Sequence, residues 1–148
     1  MAEKERNVDV LFVEDSRDDF ELTEFAMNQA SNDIHFRHFK DGPEALNFIF
    51  AKRQFEGRQV QSGLKLVILD LRLPTMNGLE VLRRIRADKA TSKVPVVVLS
   101  SSTDQQDIEV AYHLGANSYV VKPNGFDGYV KKVGSLAFYW NSINERPY

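Results

Sequence analysis

The sequence contains no cysteine, which excludes disulfides, thiolate metal sites and cysteine nucleophiles. Histidine is scarce, three in 148 residues, so oxygen-bearing side chains are the main source of metal ligands. Long hydrophobic runs are missing: Val94–Leu99 and Leu66–Leu69 fall far short of the roughly 20 residues that span a bilayer. Residues 1–7 alternate charges, so a flexible N-terminus and a cytoplasmic protein, not associated with membrane, are expected. An excess of one sign of charge is also lacking. Nineteen basic and 21 acidic side chains leave a net charge of -2, which gives no overall field favouring nucleic acid.

What is present suits one globular core. Ten Phe, five Tyr and one Trp fall within a hydrophobic content of 43%, and a chain of this length fits a single domain, 1–148. Five short runs rich in β-branched residues read as strands: Val8–Val13, Ile34–Phe39, Leu66–Leu69, Val94–Leu99 and Ser118–Val121. The first, third and fourth are almost continuously apolar, as strands covered on both faces must be. Between them apolar residues recur at helical spacing: Leu22, Phe25, Ala26 and Ala30; Ala45, Leu46, Ile49 and Phe50; Leu79, Leu82 and Ile85; Ile108, Ala111 and Tyr112. A final helix over 126–144 carries Phe126, Tyr129, Val130, Val133, Ala137 and Trp140 on a core-facing stripe, with Phe138 and Tyr139 off it. Ser16 and Asp104 read as N-caps and Gly115 as a helix stop. Phe55–Lys65, with Gly57 and Gly63, reads as an elongated loop able to move. The pattern is βα repeated five times, an α/β doubly wound parallel sheet whose chemistry lies beyond the carboxyl ends of its strands.

Those ends carry polar groups. Glu14 and Asp15 follow the first strand, Asp70 the third, Ser100 the fourth and Lys122 the fifth. Each alone has an ordinary reading as a cap, a turn residue or a surface charge, but coincidence at four strand ends is harder to dismiss. Three gathered carboxylates repel one another and call for protonation or a bound cation. A hard divalent ion such as Mg2+ suits an oxygen-only site. With the repulsion offset, Asp70 could attack phosphorus as a nucleophile, Lys122 would add a second positive charge, and Ser100 could hydrogen-bond a phosphoryl oxygen.

Glu14-Asp15, the run Leu69–Pro74 with Met76-Asn77-Gly78 beyond it, the run Pro95–Ser100, and Gly115-Ala116 with Tyr119–Pro123 together resemble the receiver domain of two-component response regulators. The aromatic-rich last helix and the long loop before the third strand are similar to stand-alone receivers that serve bacterial phytochromes. The resemblance implies a flavodoxin-like fold, a sensor histidine kinase as phosphoryl donor, and Asp70 as acceptor. Mg2+ would be held by Asp15, Asp70 and the backbone carbonyl of Arg72, with Glu14 assisting. It also implies a cis peptide at Lys122-Pro123, a switch pair of Ser100 and Tyr119, and output through the face of the fourth helix, fifth strand and fifth helix. Arg72 and Ser102 fall where members of this family tune phosphate lifetime; neither is a strong base for water, so a long-lived acyl phosphate is expected. Phe138 and Tyr139 are expected to serve a homodimer interface. The competing reading is a phosphatase of the haloacid dehalogenase type, which needs a second Asp two positions after the nucleophile, where this chain has Arg72.

Overall fold

The structure, a computed structural model, describes residues 8–31 and 33–147; the expectation for residues 1–7 lies outside that range. Strands β1 (Val10–Val13), β2 (Phe36–Phe39), β3 (Leu66–Leu69), β4 (Val96–Ser100) and β5 (Ser118–Val121) alternate with helices α1 (Arg17–Ala30), α2 (Gly42–Ile49), α3 (Gly78–Ala87), α4 (Gln105–His113) and α5 (Phe126–Phe138). All five strands are parallel, in the order β2-β1-β3-β4-β5. The order reverses between β1 and β3, and the crevice above their carboxyl ends is where such sheets place their sites.

Side-chain alternation along the strands divides the interior in two. Leu11, Val13, Val67, Leu69, Val96 and Val98 pack on one face with α2, α3 and α4, while Val10, Phe12, Leu66, Ile68, Val97 and Leu99 pack on the other with α1 and α5. The three inner strands are buried along their whole length, which accounts for their unbroken apolar sequence. Helix entries are closed by Ser16, Asp41, Asn77 and Asp104, whose side chains accept amide N–H groups of the first turn. Gly115 follows α4 at φ +103°, a conformation glycine adopts without the steric penalty of a Cβ.

Three strands are shorter or shifted relative to the apolar runs. Asp9 and His35 tie the sheet margin with a side-chain bond, His35 N donating to Asp9 Oδ2 at 2.9 Å, so regular pairing starts at Val10 and Phe36. Val94 closes a turn onto Thr91 (3.0 Å) before β4. The segment 55–65 is not loose. Phe55 inserts edge-on against Phe39 and Phe48, at 5.8 and 5.3 Å between centroids, Leu64 is buried, and Gln61 N donates to the Ile49 carbonyl at 2.8 Å. Tyr139–Ile143 widen into a π-helical turn closed by Asn144 N on the Tyr139 carbonyl at 2.7 Å, in place of a continuous α-helix to 144. Phe126 is not core: it is 54% exposed and packs on Phe25 at 5.4 Å, because the chain enters α5 at the sheet rim, above the apolar layer.

Candidate functional site

β1 ends by turning directly into α1, and this turn carries the acidic pair. Glu14 N still donates to Phe39 of β2 (3.0 Å), so its side chain points into the rim and is fully buried. One carboxylate oxygen accepts Ser16 N at 3.0 Å. The Glu14 carbonyl accepts His38 Nε2 at 2.6 Å, and the His38 ring is held by stacking on Phe20 at 4.0 Å. Asp15, one residue on, is exposed. Asp70 leaves β3 with its amide still on the Val13 carbonyl (3.1 Å) and is 7% exposed; Arg72 N donates to its Oδ1 at 3.3 Å. Gly78, at the start of α3, lies so close that a Cβ there would fall 2.1 Å from the Asp70 carbonyl oxygen.

Glu14, Asp15 and Asp70 each bring a carboxylate oxygen within 4.8 Å of the others. Lys122, whose amide is fixed on the Ser100 carbonyl at 2.8 Å, sends its ammonium into this group. Nζ donates to Glu14 Oε2 (2.7 Å), Asp19 Oδ2 (2.7 Å) and Asp70 Oδ2 (3.1 Å). The electrostatics follow. Burial, then the charge of Asp70, pushes the Glu14 carboxyl up to about 8, with Lys122 opposing. For Lys122 itself burial disfavours the charged form, but hydrogen bonds to Asp19 and Glu14 and the charges of Glu14 and Asp70 outweigh it and hold the ammonium above its usual range.

Ser100 is 1% exposed, and its Oγ accepts Ser102 N at 3.1 Å. The Ser102 hydroxyl donates to Asp107 and accepts Asp104 N, so it is turned toward α4. The Tyr119 hydroxyl donates to the Ser102 carbonyl at 2.9 Å, while Tyr119 N donates to the Tyr112 hydroxyl at 3.1 Å. The sheet rim thus brings together Glu14, Asp15, Asp70, Ser100 and Lys122, with Arg72, Ser102 and Tyr119 on its margin. Phe138 and Tyr139 lie apart, 48% and 45% exposed. Phe138 borders a groove shared with Ala26, Gln29 and Ala30 of α1, so it sits on the α1 side of α5 and not toward α4.

One sequence expectation of the site changes, and one residue of it was overlooked. The Lys122-Pro123 peptide is trans, since the described residues contain no cis bond; the trans form is the intrinsically preferred one for X-Pro bonds, and the strand alone delivers the ammonium. Asp19 was missed. The signal was Ser16 as N-cap, which places Asp19 in the first helical turn, four residues after Asp15 and over the end of β1.

An oxygen-only donor set carrying excess negative charge fits a hard divalent cation, and the group lies at the switch point where doubly wound sheets place their sites. The chain belongs to the response regulator receiver domain family, whose model matches residues 10–133. It is 34% identical over 138 residues to the probable methanogenesis regulatory protein FilR2 of Methanothrix harundinacea, covering 93% of this chain and 86% of that one. Response regulator Rcp1 of Synechocystis sp. is 30% identical over 131 residues, 88% and 87% of the two chains. The crystal structure of the Mn(2+)-bound form of Rcp1 superposes with a TM-score of 0.86 at 29% identity, over 94% of this chain and 98% of that one. That of the phosphorylated cyanobacterial phytochrome response regulator RcpA gives 0.87 at 29% identity, over 94% and 97%. The fold is therefore the flavodoxin-like receiver fold, and receiver domains are signalling proteins that bind a divalent metal. Among the described residues no helix is long and apolar enough to cross a membrane.

Proposed function

We propose that this protein is cytoplasmic, that Asp70 accepts a phosphoryl group from a sensor histidine kinase in a Mg2+-dependent reaction, and that the protein signals through contacts on its α4-β5-α5 face without acting on other substrates. The observation that carries this reading is Lys122 Nζ lying 3.1 Å from Asp70 Oδ2 beside a cluster of three carboxylates within 4.8 Å. Mg2+ would be held by Asp15, Asp70 and the Arg72 carbonyl with Glu14 close by. Bound there, it would supply the positive charge that lets a phosphate approach a carboxylate. Asp70 attacks phosphorus, Lys122 stays protonated and neutralises charge on the phosphoryl oxygens, and Ser100 offers its hydroxyl to one of them. Tyr119 follows through the shared Ser102 loop, biasing two arrangements of the β4-α4 segment. RcpA, a phytochrome response regulator by its name, supports a phytochrome-like kinase as the donor.

Neither Arg72 nor Ser102 is a base for water, and the Ser102 hydroxyl is engaged by Asp107, which supports a persistent acyl phosphate. Arg72 in place of a second Asp disfavours the phosphatase reading. Incubation with acetyl phosphate and Mg2+ should give a phosphoprotein on a phosphate-affinity gel, lost over minutes or longer after donor removal. Asp70→Asn and EDTA should each abolish it. Decay within seconds would contradict the lifetime, and steady hydrolysis of p-nitrophenyl phosphate would move the assignment to the phosphatase class.

A further inference from the structure

An ammonium group has three N–H donors, and Lys122 spends all of them on carboxylates: Glu14, Asp19 and Asp70. If Asp70 is the phosphoryl acceptor, the reading on which this inference rests, a phosphoryl oxygen can take a bond from Lys122 only when one carboxylate lets go. The three differ in their freedom to do so. Glu14 is fully buried, with its other oxygen on Ser16 N. Asp70 is the reacting group, and Arg72 N holds its second oxygen. The Asp19 side chain is 28% exposed, sits on the first turn of α1, and borders an open groove of about 360 Å³ that also reaches Lys122 and Asn124. Water can replace Lys122 as its partner.

We propose that Asp19 is a positioning residue that parks the Lys122 ammonium and yields it to the incoming phosphoryl group, so that its carboxylate slows the loading of Asp70. Two effects act in the same direction. Asp19 competes for the N–H that the phosphoryl oxygen needs, and its charge repels the incoming anion at close range. In the transfer, the bond from an Asp70 carboxylate oxygen to phosphorus forms as the bond from phosphorus to the donor breaks. The leaving group departs with the electron pair, and Lys122 keeps its proton throughout. Asp19 touches neither phosphorus nor the donor, so it acts only through Lys122 and through its field.

The test is the rate of phosphorylation of the full chain by acetyl phosphate at saturating Mg2+, for wild type, Asp19→Asn and Asp19→Glu, with thermal melts of all three. Asp19→Asn keeps an oxygen acceptor and removes the charge, and should load about fivefold faster. It should also bind beryllofluoride, a phosphoryl mimic, more tightly by calorimetry. Asp19→Glu restores the charge and should stay within about twofold of wild type. An unchanged or slower Asp19→Asn overturns the proposal, as does equal acceleration by both variants, which would trace the effect to a disturbed helix start. Wild type that takes no label at all would instead overturn the reading of Asp70, and this inference with it.

Discussion

Gly78 shows how closely the rim is built. It opens α3 with its amide on the Leu71 carbonyl at 2.8 Å, and a Cβ would meet the Asp70 carbonyl oxygen at 2.1 Å and Leu71 Cα at 2.8 Å. Both neighbours are backbone and cannot swing aside. Helix propensity alone would make Gly78→Ala stabilising by about 1 kcal/mol. The clash reverses the sign: the substitution should destabilise by about 3 kcal/mol, measured by urea unfolding. At this scale the sequence was informative wherever a group followed a strand, because the carboxyl ends of parallel strands share one edge. Asp70, Ser100, Lys122 and the Glu14-Asp15 pair were legible for that reason. Asp19 was not, since its part depends on the reach of a side chain from another element, Lys122, which lies 103 residues away.

Between elements, the most extensive helix–helix contact is that of α1 with α5, and its interior holds a polar bond. Thr23 Oγ1 and the Tyr129 hydroxyl lie 2.9 Å apart in an otherwise apolar layer with Ala26, Met27 and Val133. Tyr129→Phe would leave the Thr23 hydroxyl buried without this partner, a loss of about 1–2 kcal/mol. Burial pushes the Tyr129 phenol up to about 12, above its ordinary value, so between about pH 10 and 12 the folded state binds more protons than the unfolded state. Its contribution to stability is therefore complete below pH 10 and is lost as pH rises toward 12. Urea unfolding at neutral pH and near pH 11.5 should show this extra alkaline loss in wild type and not in Tyr129→Phe. Periodicity revealed the α5 stripe at Tyr129, Val133 and Ala137, all buried, yet misplaced Phe126, because a helical wheel carries no information on where along its axis the core ends. The segment 55–65 is the loop expected from its sequence, but its anchoring was not legible for a related reason: Phe55 and Leu64 are single anchors in polar sequence, and their pocket exists only once β2 and α2 have packed.

Across the whole molecule, two surfaces lie on different flanks of α5. Toward α4, Tyr112 is 48% exposed and its hydroxyl accepts Tyr119 N. Since the Tyr119 hydroxyl reaches Ser102 and Ser102 N reaches Ser100, this face is joined to the rim by continuous hydrogen bonds. Phe138 borders the α1-α5 groove, and among the described residues no such chain ties it to Asp70. An interface there would be independent of the chemistry at the rim, and aromatic side chains at contact surfaces contribute more than their number suggests. On the proposal that Phe138 and Tyr139 form a homodimer interface, Phe138→Ser with Tyr139→Ser should leave the rate of loading by acetyl phosphate unchanged while converting dimers to monomers in sedimentation velocity. A double variant that still sediments as a dimer would move the assembly surface elsewhere, and the α4-β5-α5 face, wired to Ser100, would be the next place to substitute.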